Sequence, residues 1–386
     1  MPRAPYALAA AIILVRFADE WTTFLPAGAR EPIRHDLGLT YAQAGLILAA
    51  LPAGGLVGNF FVVAADYVSR RWLAALGAAG YGVAMIGFGL GHSLFDLLAA
   101  AFAWGAASDA FISGCEVALV DLAGDKLSGA LARMNAWAAF GDLLGPATLA
   151  LTAAMGLRWR SLFETGGAAM LAYAAWIASQ DFPPPQPRKT MPSPLAGVVD
   201  CLKDRRVLLL AALMGLFGLL DEPLLGFTIA YLERVRGFSQ AGATLLAMVD
   251  IVGAWAGFTL FDRLFPGGGG TKLTIGSAAI ILAALPAMIF APVLVIQVAG
   301  ALAFGVAGAV FYTRLQSAVL AVRPGQAGST SAVVAAVGMA GLGFPALAGW
   351  TSDAFGLAAG LALYAAVPLI ILGLTLAAPQ RVFSAP

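Results

Sequence analysis

Residues 6–27 read YALAAAIILVRFADEWTTFLPA. Only Arg16, Asp19 and Glu20 are charged in this stretch, and as a helix it is long enough to cross the roughly 30 Å hydrocarbon core of a bilayer. A basic residue, Arg3, ahead of an apolar run also opens a secretory signal peptide. Here the run continues through Arg16 and Glu20 to Pro26. Its pattern also recurs deep in the chain, where no signal peptide can lie: Ala18-Asp19-Glu20 is matched by Leu220-Asp221-Glu222. The stretch therefore reads as a membrane span with ionisable groups inside it.

The rest of the chain is built the same way. Of 386 residues, 60% are hydrophobic and 11% charged, with a mean hydropathy of +0.86. A soluble domain carries about 25% charged residues and its core stops growing near ~300 residues, so lipid is the solvent for most of this surface. A net charge of +1 argues against a nucleic-acid partner, which would demand a basic face. The two cysteines, Cys115 and Cys201, and the two histidines, His35 and His92, make neither a disulfide framework nor a zinc or copper centre. No metal or other cofactor is expected.

Apolar stretches of spanning length fall at 6–27, 41–64, 72–91, 95–122, 136–156 and 163–180, then at 207–231, 239–261, 273–290, 292–321, 329–351 and 355–377. We number them spans 1 to 12. Between the two sets, residues 180–206 carry Pro183-Pro184-Pro185, then Arg188-Lys189, then Ser193-Pro194. The first part reads as extended linker. The second reads as a short interfacial helix with Ser193 as N-cap and Pro194 at its first position. The plan is an N-terminal six-helix bundle over 1–179, a cytoplasmic linker over 180–206 and a C-terminal six-helix bundle over 207–386. Of the 22 Lys and Arg residues, two lie inside spans; about fourteen fall on the N-terminal side of the membrane and six on the other. The positive-inside rule then places both termini in the cytoplasm of a bacterial-type inner membrane.

The two halves match at an offset near 200 residues. Besides the Asp-Glu pairs, Gln43-Ala44-Gly45 opens span 2 as Gln240-Ala241-Gly242 opens span 8. Gly105 and Ala118 in span 4 correspond to Gly305 and Ala318 in span 10, and Gly141 in span 5 to Gly341 in span 11. Repeated halves are the build of many secondary transporters, with the site near the midplane.

At these residues the chain resembles the major facilitator superfamily, over nearly its whole length. The resemblance implies an all-α membrane protein: twelve transmembrane helices in two pseudo-symmetric six-helix bundles, a cavity lined by spans 1, 4, 7 and 10, and a monomer. Between its second and third helices that family carries a Gly-x-x-x-Asp-Arg-x-Gly-Arg-Arg type loop. Here Asp66-Tyr67-Val68-Ser69-Arg70-Arg71 keeps the Asp and the paired Arg without the glycines, and Asp262-Arg263 is the counterpart after span 8. The resemblance gives Asp66, Arg70, Arg71, Asp262 and Arg263 a clamping role at a cytoplasmic gate; a solvated basic turn is the plainer alternative. Gly141-Asp142-Leu143-Leu144-Gly145-Pro146 resembles the Gly-x-x-x-Gly-Pro motif of proton-driven exporters, although Ala147-Thr148 replace its trailing glycines. Small residues four apart let helices approach, and a Pro is tolerated inside a bundle. Asp19 through Thr22 to Pro26 resembles the acidic start of drug–proton antiporters, and residues 111–116 and 129–146 resemble the fosmidomycin-resistance-like branch.

Ionisable groups inside a bilayer are costly, so each is a functional candidate. The acids are Asp19, Glu20, Asp109, Glu116, Asp142, Asp221, Glu222 and Asp250, and the bases are Arg16 and Arg314. Eight minus two leaves six negative charges if all ionise. Several acids must then be protonated, hydrated or cation-bound. Arg16 and Glu20, four apart, share a helix face and can pair. Asp109 and Glu116, two turns apart, point from one face of span 4, with Ser113 on the same side. Arg314 has Asp221 and Glu222 as candidate partners. Adjacent acids cannot face the same way, so Glu20 and Glu222 are the candidates for the cavity. Asp142 and Asp250 read equally well as helix-end or helix–helix hydrogen bonds. Trp21, Trp104, Trp137 and Phe111 can stack on an organic cation, although packing is the commoner role for such rings.

This surplus of acid points to a secondary transporter with the bilayer, protons and a small cationic substrate as partners. The leading expectation is proton-coupled export of an organic cation or amphipathic drug-like compound by alternating access, since one carboxylate can hold either a proton or the cation. Divalent-metal transport, suited to clustered carboxylates, and transport of a carboxylated or zwitterionic metabolite held by Arg16 or Arg314 are alternatives. A non-transporting sensor or scaffold is a fourth. No nucleophile–base or metal constellation suggests an enzyme.

Overall fold

The computed structural model describes residues 4–39, 41–65, 67–183, 194–265, 270–323, 325–339, 341 and 344–377. The sequence readings on Arg3, Asp66, Arg188, Lys189 and Ser193 lie outside these residues, as do the side chains of Pro146, Glu222 and Asp262.

Among the described residues every regular element is a helix. Before the linker come α1 (Ala4–Gly28), α2 (Arg30–Leu37), α3 (Tyr41–Ala64), α4 (Arg70–Leu90), α5 (Leu94–Ala123), α6 (Leu127–Ala154) and α7 (Trp159–Ala178). In the linker α8 (Pro194–Lys203) occupies the place of the expected interfacial helix. After it come α9 (Arg205–Gly218), α10 (Glu222–Arg234), α11 (Gln240–Ala247), α12 (Val249–Leu264), α13 (Thr271–Phe290), α14 (Leu294–Ala321), α15 (Ala327–Gly338), α16 (Phe344–Phe355) and α17 (Leu357–Ala377). These helices fit the twelve spans, one helix each for spans 1 to 6, 9, 10 and 12 and two for spans 7, 8 and 11.

Local chemistry accounts for several of the ends. Ser93 starts α5 with a capping box: its hydroxyl accepts from the Asp96 N–H, and the Asp96 carboxylate accepts from the Ser93 N–H. The loop expected between spans 4 and 5 shrinks to a 3-10 turn at Gly124–Lys126, made possible by Gly124 at φ +47°, and α6 begins nine residues before the expected 136. Span 7 breaks at 219–221 because Pro223, in the first turn of α10, has no N–H to carry the helix through. Spans 8 and 11 are also interrupted, at Met248 and after Gly338.

The chain forms two compact units. The first comprises Met1–Gly124, Trp137–Leu195 and Gly325–Ala332, and the second Asp125–Ala136, Ala196–Pro324 and Val333–Pro386. The two short segments that leave their own half start 200 residues apart (325 − 125), which is the offset of the repeat.

Within the first unit α4 packs on α5 and α7, and α3 and α1 pack on α5. Within the second, α13 packs on α14 and α17, and α12 and α9 pack on α14. Glycine sets the tightest crossing in each. A Cβ on Gly54 would collide with the carbonyl oxygen of Phe102, and one on Gly105 with that of Leu51. In the second unit a Cβ on Gly253 would lie 2.6 Å from the Leu302 carbonyl oxygen, and one on Gly305 would collide with that of Asp250. The α3–α5 and α12–α14 crossings are thus the same device at one repeat offset, backbone against backbone with nothing between.

Candidate functional site

The ionisable residues of α1 and α5 come together in the first unit. Arg16, midway along α1, donates to Glu116 Oε1 of α5 from Nη2 at 2.7 Å and from Nε at 3.1 Å. Its contact with Glu20, the partner expected from the i,i+4 spacing, is longer at 3.9 Å. The arginine is therefore anchored first across the helices and only second along its own. Glu20 keeps the larger exposure, 33% against 12% for Glu116.

Asp19 points the other way and is buried. Its Oδ1 accepts from Ser108 Oγ at 2.6 Å and from Tyr81 OH at 3.3 Å, and Thr22 Oγ1 stands 2.6 Å from the same Tyr81 oxygen. Ser113 donates to the Asp109 carbonyl on its own helix. Asp109 sits where α3 has no side chain: a Cβ on Gly58 would overlap its carboxylate. It lies within electrostatic range of Asp19, Arg16 and Glu116. Asp19, Glu20, Asp109 and Glu116 thus share one base. Four minus one leaves three negative charges if all ionise.

The exporter-like motif reaches this cluster through Gly141, whose missing Cβ would lie 2.7 Å from the Phe17 carbonyl oxygen and 3.3 Å from Glu20 Cβ. Gly145 is buried and Asp142 half-buried on the same helix.

The second unit is arranged differently. Arg314 on α14 is 2% exposed, and its Nη1 approaches Ser128 Oγ at 3.4 Å. Ser128 and Ser317 share a hydrogen bond of 2.8 Å, and Asn135 Nδ2 donates to Gln316 Oε1 at 2.8 Å. Ala132 packs beside them with Phe261 and Val310. A neutral amide-and-hydroxyl seam thus lies on the Ser128 side of the base. Asp221 lies exposed at the break between α9 and α10. Asp250, on α12, holds a buried Oδ1 without a hydrogen-bond partner among the described residues.

Of the gate candidates, Arg70 is buried at the start of α4 and forms an ion pair with Asp121 near the end of α5. Arg71 lies over the Trp72 ring at 5.2 Å, and Arg263 is exposed. At the other end of α4, Arg160 donates to the carbonyls of Gly89 and Gly91 and to Asp36, while Arg236 donates to those of Phe290 and Ala291 at the end of α13. Cations suit helix C-termini. The sequence reading had not singled out Asp121, Tyr81 or Ser108, and named Thr22 only within the acidic start of span 1. Asp121 could have been found as the acid needed opposite a conspicuous Arg pair; the others are ordinary polar residues until the fold aims them at Asp19.

A profile of the Major Facilitator Superfamily matches residues 9–344. Among solved structures, the chain is similar to the Escherichia coli fucose:proton symporter FucP, at 16% identity over 96% of this chain and 98% of that one, with a TM-score of 0.76. The proton:xylose symporter XylE matches at 15% identity, over 97% and 95% of the two chains, with a TM-score of 0.72. The human organic anion transporter MFSD10 matches at 18%, over 97% and 100%, with 0.70. At these identities the likeness is one of fold. No curated protein sequence matches the chain. The chain belongs to the Major Facilitator Superfamily: it is a multi-pass membrane transporter for a small-molecule substrate, not an enzyme.

Proposed function

We propose that the chain is a proton-coupled secondary transporter that exchanges protons for an organic cation at the Asp19–Glu20–Asp109–Glu116 cluster. The observation that carries this reading is the four-to-one ratio of acid to base within this cluster, with Arg16 already held by Glu116. An arginine so engaged is a poor receptor for a carboxylated substrate, whereas the remaining carboxyls need protons or a cation. A carboxyl in an apolar wall can load and release a proton as its access alternates. We further take the protein to be a monomer of two bundles, 1–179 and 207–386, joined by the linker 180–206. Both termini would face the cytoplasm of a bacterial-type inner membrane, with Arg70, Arg71, Asp66, Asp262 and Arg263 at the cytoplasmic gate. Proton symport of an uncharged polar substrate is the second reading, favoured by the names of two similar folds as proton:sugar symporters.

The sign of proton movement separates the two. In proteoliposomes holding a pH-sensitive dye, an organic cation added outside raises the internal pH if exchange operates, and Glu20→Gln and Asp109→Asn abolish the response. A neutral sugar that lowers the internal pH, in wild type and acid variants alike, would contradict exchange.

A further inference from the structure

One hydroxyl in the first unit has a single proton and two buried acceptors. Tyr81, on α4, is fully buried and lies between Thr22 and Asp19 of α1. Its oxygen stands 2.6 Å from Thr22 Oγ1 and 3.3 Å from Asp19 Oδ1, and Ser108 Oγ of α5 donates to the same Oδ1 at 2.6 Å. Thr22 Oγ1 is also 2.7 Å from the Ala18 carbonyl oxygen, which can only accept. Trp104 Nε1 and the Thr23 hydroxyl come near the Tyr81 oxygen and can donate to it.

These contacts allow two hydrogen-bond patterns that exclude each other. When Tyr81 donates to Thr22, Thr22 donates to the Ala18 carbonyl and Asp19 keeps Ser108 alone. When Tyr81 donates to Asp19, Thr22 turns its own proton from Ala18 to Tyr81. A carboxylate draws a donor about twice as strongly as a neutral group, so charge on Asp19 selects the second pattern and its loss returns the first. The repeat supplies an internal comparison. At the offset of the Asp-Glu pairs Thr22 corresponds to Leu224, and at that of Gly105 and Gly305 Ser108 corresponds to Gly308 and Tyr81 to Ile281. Leu224 and Ile281 are buried there, and Asp221 is exposed. The unit that lacks the three hydroxyls has turned its acid out.

We propose that Tyr81 is a positioning residue for the exchange: its hydroxyl proton turns from Thr22 to Asp19 when Asp19 ionises and back when Asp19 is protonated, which tunes how readily Asp19 releases its proton. Tyr81 keeps its proton throughout and only the acceptor changes; the proton that leaves Asp19 goes to water. The charged groups near Asp19 are Arg16 on its own helix and Asp109 and Glu116 on α5, while Glu20 contacts Arg16. The charges of α4 (Arg70, Arg71) and of α7 (Arg160, Glu164) lie in the first two turns of those helices, and α3 carries none. This proposal rests on the reading of the acidic cluster as the exchange site and adds the device that regulates its proton.

Infrared pH titration of the purified full-length protein reads the carboxyl directly, with the Asp19 band assigned by its loss in Asp19→Asn. Tyr81→Phe should move the midpoint of that band up by about one pH unit, because the ionised form loses a donor that the protonated form does not use. Thr22→Val removes the competing acceptor and should move the midpoint down. Thr22→Ser should leave it at the wild-type value, and Tyr81→Phe/Thr22→Val should behave as Tyr81→Phe. The pH profile of cation-driven proton flux in proteoliposomes should shift in the same order. Midpoints unmoved by Tyr81→Phe and Thr22→Val, shifts of one sign in both, or an Asp19 band that does not titrate overturn the hydroxyl switch. If that failure accompanies intact cation-driven proton flux, the exchange reading survives without the switch. Opposite shifts in a protein that shows no such flux keep the switch and remove the exchange.

Discussion

Glu116 takes two hydrogen bonds from Arg16, and Glu20, one helical turn from the arginine, is left the looser contact. Truncating Arg16 to Ala leaves Glu116 without this cation in a mostly buried site. Unfolding followed by thermal shift should show a loss of about 2–3 kcal/mol. Adding Glu116→Gln to that variant should restore much of it, because a neutral amide costs less to bury than an orphan carboxylate; a double variant no better than the single one would show that the pair carries little of that energy. Ser108→Ala removes the 2.6 Å bond to Asp19 and should cost about 1 kcal/mol in the same assay. The sequence exposed the acids and the base, because charge inside an apolar stretch is conspicuous wherever it sits. It did not expose their partners. Spacing of four offered Glu20 to Arg16, but no local pattern shows that α5, a hundred residues away, brings Glu116 closer.

At the scale of elements, the tightest crossings belong to glycines rather than to charges. Gly105→Leu and Gly305→Leu put side chains where the backbones of Leu51 and Asp250 already lie, and each should destabilise the fold by about 3 kcal/mol or more. Gly276→Ala on α13, which meets nothing within 4 Å, should be neutral or stabilise by up to about 1 kcal/mol. Equal effects at all three sites would argue against these crossings. The clamp between α4 and α5 gives a second contrast. Arg70→Ala abandons Asp121 and should cost about 3 kcal/mol, whereas Arg71→Ala, which loses a ring contact with its neighbour, should cost within about 0.5 kcal/mol. The matched glycines of spans 4 and 10 were legible from sequence as a repeat. Their meaning became clear only with Gly54 and Gly253, whose Gly-x-x-x-Gly spacing with Gly58 and Gly257 was present in the sequence all along. The interruptions of spans 7, 8 and 11 were hidden because hydropathy runs straight across a break; Pro223 and Pro345, each in the first turn of the helix that follows, marked two of them.

For the whole molecule, composition and the 200-residue repeat were enough to foresee an all-helical transporter fold, because burying backbone polar groups in lipid leaves helices or closed barrels as the only spanning structures. The two units repeat one packing scheme while their chemistry diverges. The first gathers four carboxyls near one arginine, and the second sets its arginine beside Ser128, next to the Ser128–Ser317 and Asn135–Gln316 hydrogen bonds. That asymmetry could not be read from the matching Asp-Glu pairs of spans 1 and 7, which suggested equal halves. The exchange we propose uses the acids of the first unit alone. Internal pH in proteoliposomes, recorded while an organic cation is added outside, addresses that claim most directly. The account predicts alkalinisation that survives Asp221→Asn and Asp250→Asn and disappears in Glu20→Gln and Asp109→Asn. Alkalinisation that survives loss of the first-unit acids and fails with those of the second would contradict it.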